Sequence, residues 1–208
     1  VPRTQQPATP LVPPKATKNK VRLNGADLAA EATRRIQHRD ALRAAEASSD
    51  TWQGTKRIKV DVGIMAAWGG RLRFQAYNPN GSLAADLASD GQRYCFVDTH
   101  QNCGDCGPAS AQNVARLIRL TLVPDDLVAV LFGSTPLLPA AQQALAWDER
   151  RGREVLTLSD GAYTQRVELD GRKDRWDVLS SELRGPDGKR RWQVRHTGFR
   201  DVITAKGT

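Results

Sequence analysis

Apolar and polar residues alternate along most of this chain. In "TKRIKVDVGIMA" (55–66), Ile58, Val60, Val62 and Ile64 fall on one side, and Arg57, Lys59 and Asp61 on the other. That period of two marks a half-buried strand. "WGGR" (68–71) turns the chain, and "RLRFQAY" (71–77) alternates again with Leu72, Phe74 and Ala76 inward. "NPNGS" contains Asn80-Gly81, a hairpin signal. "SLAADLAS" (82–89) and "RYCFVD" (93–98) follow, joined across Asp90-Gly91. These four segments read as an antiparallel meander.

The period changes on both sides of this block. "NGADLAAEATRRIQHRDALRAAEA" (24–47) predicts a helix, with Asn24 as cap and Leu28, Ala32 and Ile36 on one face. "GPASAQNVARLIRL" (107–120) predicts a second helix, with Pro108 in its first turn and Val114, Leu117 and Ile118 on one side. "VPDDLVAVLFG" (123–133) predicts a third, begun by Pro124 and ended by Gly133. Five more alternating segments run from "QQALAWDE" to "KRRWQVRHTGF", separated by "RRG", "SDG", "DGRK" and "GPDG", all turn chemistry. The expected class is α+β, mainly antiparallel β. It is a strongly curved half-barrel sheet of about nine or more strands, with an N-terminal helix and two inserted helices as a lid. The inward set is apolar, so the sheet encloses either a plain core or an apolar cavity.

Residues 1–22 differ. "VPRTQQPATPLVPPKATKNK" has five prolines and no periodicity, the composition of a disordered tether. Residues 23–208 are left as one folded domain. A Pro- and Thr-rich leader ahead of a β-rich domain suggests a lipoprotein tether, so an N-terminal lipid anchor is expected. No stretch approaches the roughly 18 apolar residues of a membrane-spanning helix.

The net charge is +8 in 208 residues, which favours acidic partners or anionic surfaces. Much of the excess sits in 34–43, 148–153 and 188–195, where a solvated face or hairpin end is the simpler reading. The basic residues are scattered, and no aromatic stacking platform accompanies them, so nucleic acid is not an expected partner.

All three cysteines, Cys95, Cys103 and Cys106, lie in "YCFVDTHQNCGDC". Pairing 93–98 with 101–106 sets Phe96 opposite Cys103 and places Cys95 and Cys106 diagonally on one face. A shifted register sets Cys95 opposite Cys103, and a Cys103–Cys106 bridge also spans. The three connectivities stay open. A thioredoxin-type CxxC needs a helix N-terminus directly behind its first cysteine, whereas here a helix starts only after the second. A zinc site needs four ligands, and three cysteines with His100 on one hairpin are crowded. A structural disulfide with one spare thiol is the expectation, suited to an oxidising compartment. His38, His100 and His196 have no Ser or Asp at motif spacing, and Asp125-Asp126 sits in a helix first turn, where the helix dipole explains it. No catalytic residue, metal or cofactor is expected.

The order of elements resembles the half-barrel lipoprotein-localisation family, the LolA/LolB-like proteins, in particular their divergent outer-membrane versions. The resemblance rests on a helix leading into "GTKRIKVDV", on "GRLR" opening the next strand, and on "PNGSLAADLASDGQRYCFVD". It continues through "GPASAQNVARLIRLTLVPDDLVAVLFGSTP". It covers residues 24–147 well and the later strands loosely. "CGDC" departs from it, as does an end at "DVITAKGT" earlier than such a half-barrel normally closes.

The resemblance implies a hydrophobic cavity, lidded by helices, that shelters the acyl chains of lipoproteins or lipid. Its walls would be Ile58, Val60, Val62, Ile64, Leu72, Phe74, Leu83 and Leu87, and its lid Leu117, Ile118, Leu127 and Leu131. Leu137 and Leu138 in "STPLLP" (134–139) would touch a membrane or partner. The implied role is a LolB-like acceptor on the periplasmic face of the outer membrane, without enzymatic activity. The alternative is a scaffold lipoprotein that uses the same fold to contact other envelope proteins.

Overall fold

The computed structural model describes residues 40–53, 55–118, 122–139, 142–170 and 176–199. The tether, and the predicted helix up to residue 39, lie outside the described residues. So do the side chains of Ile58, Leu117 and Ile118. The described residues divide into two compact units, one up to Pro136 and one from Leu137.

The first unit is a six-stranded antiparallel meander in the order β1 (Ala41–Gln53), β2 (Lys56–Ala67), β3 (Arg71–Tyr77), β4 (Leu83–Asp90), β5 (Arg93–Asp98) and β6 (Cys103–Pro108). Directly opposed residues share a face, so the register defines lateral rows. One row is Leu42–Ala66–Leu72–Ser89–Tyr94. The next is Ala44–Ile64–Phe74–Leu87–Phe96, and a third is Ala47–Val62–Ala76–Ala85–Asp98. The opposite face carries Arg73, paired with Asp86 across the sheet at 2.5 Å, and exposed Met65 and Val97. Two helices follow, α1 (Ala111–Ile118) and α2 (Pro124–Leu131).

At one end of this sheet two turns meet backbone to backbone. Gly70 and Gly91 both have positive φ. A Cβ on Gly70 would lie 2.8 Å from Gly91 Cα and 3.2 Å from Pro124 Cβ, and a Cβ on Gly91 would overlap the Gly69 carbonyl. Only glycine permits both the dihedrals and the approach. The start of α2 rests on this contact.

The second unit is a five-stranded antiparallel meander, β7 (Gln142–Asp148), β8 (Arg153–Ser159), β9 (Thr164–Asp170), β10 (Asp177–Arg184) and β11 (Arg190–Arg195). Leu156, Leu158, Val167, Leu169 and Val178 form its core, with Leu138, Leu145 and Trp176 packed against it. At the centre Gln165 is fully buried. Its Oε1 accepts the Leu138 N–H at 2.6 Å, and its Nε2 donates to Ser181 Oγ at 2.8 Å.

Three expectations are corrected. The hydrogen bonds form two open sheets, not one, with eleven strands among the described residues. Residues 41–47, read as the end of a helix, belong to β1, because β2 offers partners from Ala67 to Lys56, interrupted only by an irregularity between Ala44 and Ala47. Pro108 closes β6, and α1 begins later, at Ala111, where Ser110 Oγ accepts the Asn113 N–H at 3.2 Å.

Candidate apolar binding face

Alternation along β2, β3 and β4 sends Val60, Val62, Ile64, Leu72, Phe74 and Leu87 to one face of the six-stranded sheet. Val62, Leu72 and Leu87 are buried there, while Val60, Ile64 and Phe74 stay half-buried. Ile64, Phe74 and Leu87 form one unbroken lateral row. Ile58 continues β2 opposite Thr51. Leu83 departs from the set. The ladder slips between Ala76 and Tyr77, and Leu83 then pairs with Tyr77, whose hydroxyl donates to Gln75 Oε1 at 3.2 Å on the other face.

The same rows hold residues that were not among the expected walls. Phe96 extends the central row on β5, and buried Tyr94 extends its neighbour. The alternation of "RYCFVD" carried that signal. Leu42 and Ala44 join from β1 and were hidden by the helix reading. The apolar surface ends in polar groups at Asp98 and Asp105, where Tyr94 donates to Asp105 Oδ2 at 2.7 Å.

Helix α2 packs on β2 and β3. It buries Pro124, Leu127 and Val128 and leaves Leu131 half-buried. Phe132 stacks on Trp68 with ring centroids 4.8 Å apart, and Gly133, at φ +88°, ends the helix. Asp126, in the first turn, is half-buried. Burial, aided by the charge of Asp125, pushes its pKa up. Leu117 and Ile118 lie at the end of α1. Of the loop pair, Leu137 is 36% exposed, whereas Leu138 packs against the core of the second unit.

The cysteines resolve to one pairing. Cys95 sits directly opposite Cys106, joined by a disulfide, and Cys103 is a free, exposed thiol opposite Asp98. This register is shifted by two from the one expected, because the turn takes four residues, Thr99 to Asn102. Asp98 Oδ1 accepts the N–H groups of His100 and Gln101 there. His100 bonds Asn78 Oδ1 at 3.0 Å.

Among the described residues, several arginines of the runs at 148–153 and 188–195 lie against carboxylates. Arg151 and Arg153 bond the carboxylate of Glu168 at 3.0 and 2.6 Å, joined there by Arg166. Arg191 pairs with Asp187, and Arg190 lies 3.9 Å from Glu182. Among the described residues no three His, Cys, Asp or Glu side chains come together as a metal site would require. What the first sheet offers is an apolar surface of partly accessible side chains, suited to hydrophobic contact.

Neither a family model nor a curated protein matches the sequence. Solved structures do match. A LolA superfamily protein from Nitrosomonas europaea, NE2245, aligns with a TM-score of 0.57 at 8% identity, covering 87% of this chain and 80% of its own. A putative outer membrane lipoprotein-sorting protein domain from Vibrio parahaemolyticus aligns with a TM-score of 0.54 at 12% identity, covering 86% and 81%. The described strands and helices thus have a LolA-like fold, shared with these two solved structures.

Proposed function

We propose that this protein is a LolB-like lipoprotein, anchored to the periplasmic face of the outer membrane. It would hold the acyl chains of lipoproteins or lipid against the apolar face of its first sheet. The observation that carries this reading is the row Ile64–Phe74–Leu87–Phe96, whose Ile64, Phe74 and Phe96 are only half-buried. Half-buried aromatic and aliphatic side chains in an unbroken row keep apolar area available for a ligand. Each methylene removed from water contributes about 0.8 kcal/mol, so one acyl chain supplies enough affinity without polar contacts. The fold supports the reading, since one similar structure is described as a lipoprotein-sorting domain.

Native mass spectrometry of protein purified from its own envelope without detergent tests it. The expected result is a bound mass of lipid size, lost in Ile64→Glu and Phe74→Glu and retained in Met65→Glu on the opposite face. A clean apo mass, or loss in all three variants alike, would overturn it and favour the scaffold role.

A further inference from the structure

We infer that the Cys95–Cys106 disulfide is an exchangeable redox clasp that holds β6 on the sheet and, through β6, the start of α1. Both cysteines are exposed, so a dithiol reductant in solvent reaches the bond. Strand β6 has little else to hold it. Its sequence is "CGDCGP", and every residue but the half-buried Gly107 is exposed, so it buries no apolar side chain. Glycine and aspartate are weak strand formers, and Pro108 has no N–H for the ladder. Strand β6 is also the last strand in the order of its sheet. Apart from the disulfide, the attachments seen among the described residues include the backbone ladder to β5 and the Tyr94–Asp105 hydrogen bond, and a side chain added at Gly107 would meet the Tyr94 ring.

Two residues separate β6 from α1, and the junction is short and bonded. Ser110 caps α1, Asn113 Nδ2 donates to the Pro108 carbonyl at 3.0 Å, and Ala109 N–H bonds Gln92 O. Val114, in the middle of α1, is buried. A β6 released from β5 therefore takes the α1 cap with it, and residues 103–118 open as one local unit. The step is a two-electron reduction. A dithiol donates two electrons and two protons, the Cys95–Cys106 bond breaks to two thiols, and the dithiol closes to its own disulfide.

The test is hydrogen exchange measured by mass spectrometry on the full chain carrying Cys103→Ser, so that no third thiol shuffles the bridge. Oxidised protein is compared with protein reduced by dithiothreitol, and with reduced protein reoxidised. On reduction, exchange over 103–118 should quicken about tenfold or more, with residues 56–90 and 142–170 unchanged and the effect reversed on reoxidation. The paired variant Cys95→Ala/Cys106→Ala should reproduce the reduced pattern. If that variant fails to fold, the reduced protein alone gives the reading. Unchanged exchange over 103–118, equal acceleration in every strand, or a bond that dithiothreitol leaves intact in the native protein would each overturn the inference.

Discussion

Glu168 holds a charge where its neighbours in sequence, Val167 and Leu169, are both buried. It is only 4% exposed, yet three guanidiniums from β8, β9 and the β7–β8 turn converge on it. Burial alone would raise its pKa. The hydrogen bond from Arg153 and the charges of Arg166 and Arg153 outweigh that and hold the carboxyl below the usual value. A depressed folded pKa gives stability that is present above the unfolded value, about 4.3, and is lost as pH falls through the folded one. Glu168→Gln should therefore lower stability by roughly 1–3 kcal/mol near neutrality. It should also flatten the loss of stability below about pH 4.5, both read from urea melts at several pH values. Gln165 poses a similar test without charge. Gln165→Leu leaves the Leu138 N–H and the Ser181 hydroxyl without their buried partner and should cost about 1–3 kcal/mol in the same melts. Neither role was visible in the sequence, where Gln165 and Glu168 are simply polar residues in an alternating strand. Apart from Arg166 on the same strand, their partners come from other strands, from the β7–β8 turn and from the segment before β7.

Among the elements, legibility followed how well local propensity agreed with long-range pairing. β2 to β5 and β7 to β11 combine alternation with turn dipeptides, and each lies where that pattern puts it. β1 does not. Its opening "ALRAAEA" is rich in good helix formers, and only the ladder with β2 makes it a strand, a tertiary gain that no local window contains. β6 was readable as the far strand of the hairpin from β5, but its two glycines, aspartate and proline carry no alternation of their own, so the pairing came out two residues from the observed register. Leu83 was misplaced by a single slip in the β3–β4 ladder, which reverses a face without changing composition. The turns at Gly69-Gly70 and Gly91 were legible as turns, but their contact was not. Because a side chain at residue 91 overlaps the Gly69 carbonyl and meets an unfavourable φ of +93°, Gly91→Ala should destabilise by about 2 kcal/mol or more. Ala88→Gly, exposed on β4 of the same sheet, should cost only about 1 kcal/mol. Thermal melts of the two variants side by side check the difference.

For the whole molecule, alternation establishes which residues can share a face but not where one sheet ends and the next begins. That break falls where α1, α2 and the "STPLLP" loop separate β6 from β7, and no periodicity reports it. The candidate site shows the same division. Val60, Val62, Ile64, Leu72, Phe74 and Leu87 were readable because one strand's own period assigns each. Phe96 enters only once β5 is registered against β4, opposite Leu87. Phe96 and Val97 are consecutive and both apolar, but they lie on opposite faces, and Val97 is 47% exposed on the face away from the row. If the apolar face binds acyl chains, a charge at Phe96 faces the ligand and a charge at Val97 faces water. Phe96→Lys should then reduce uptake of a fluorescent fatty acid at least about tenfold, since an unpaired ammonium against an acyl chain is strongly disfavoured. Val97→Lys should leave uptake within about twofold, because an exposed strand position tolerates lysine. A fluorescence titration of both variants, each first shown to melt as the parent does, makes the comparison. Equal loss at both positions would mean that the face does not select the ligand, and loss at Val97 alone would move the site to the other side of the sheet.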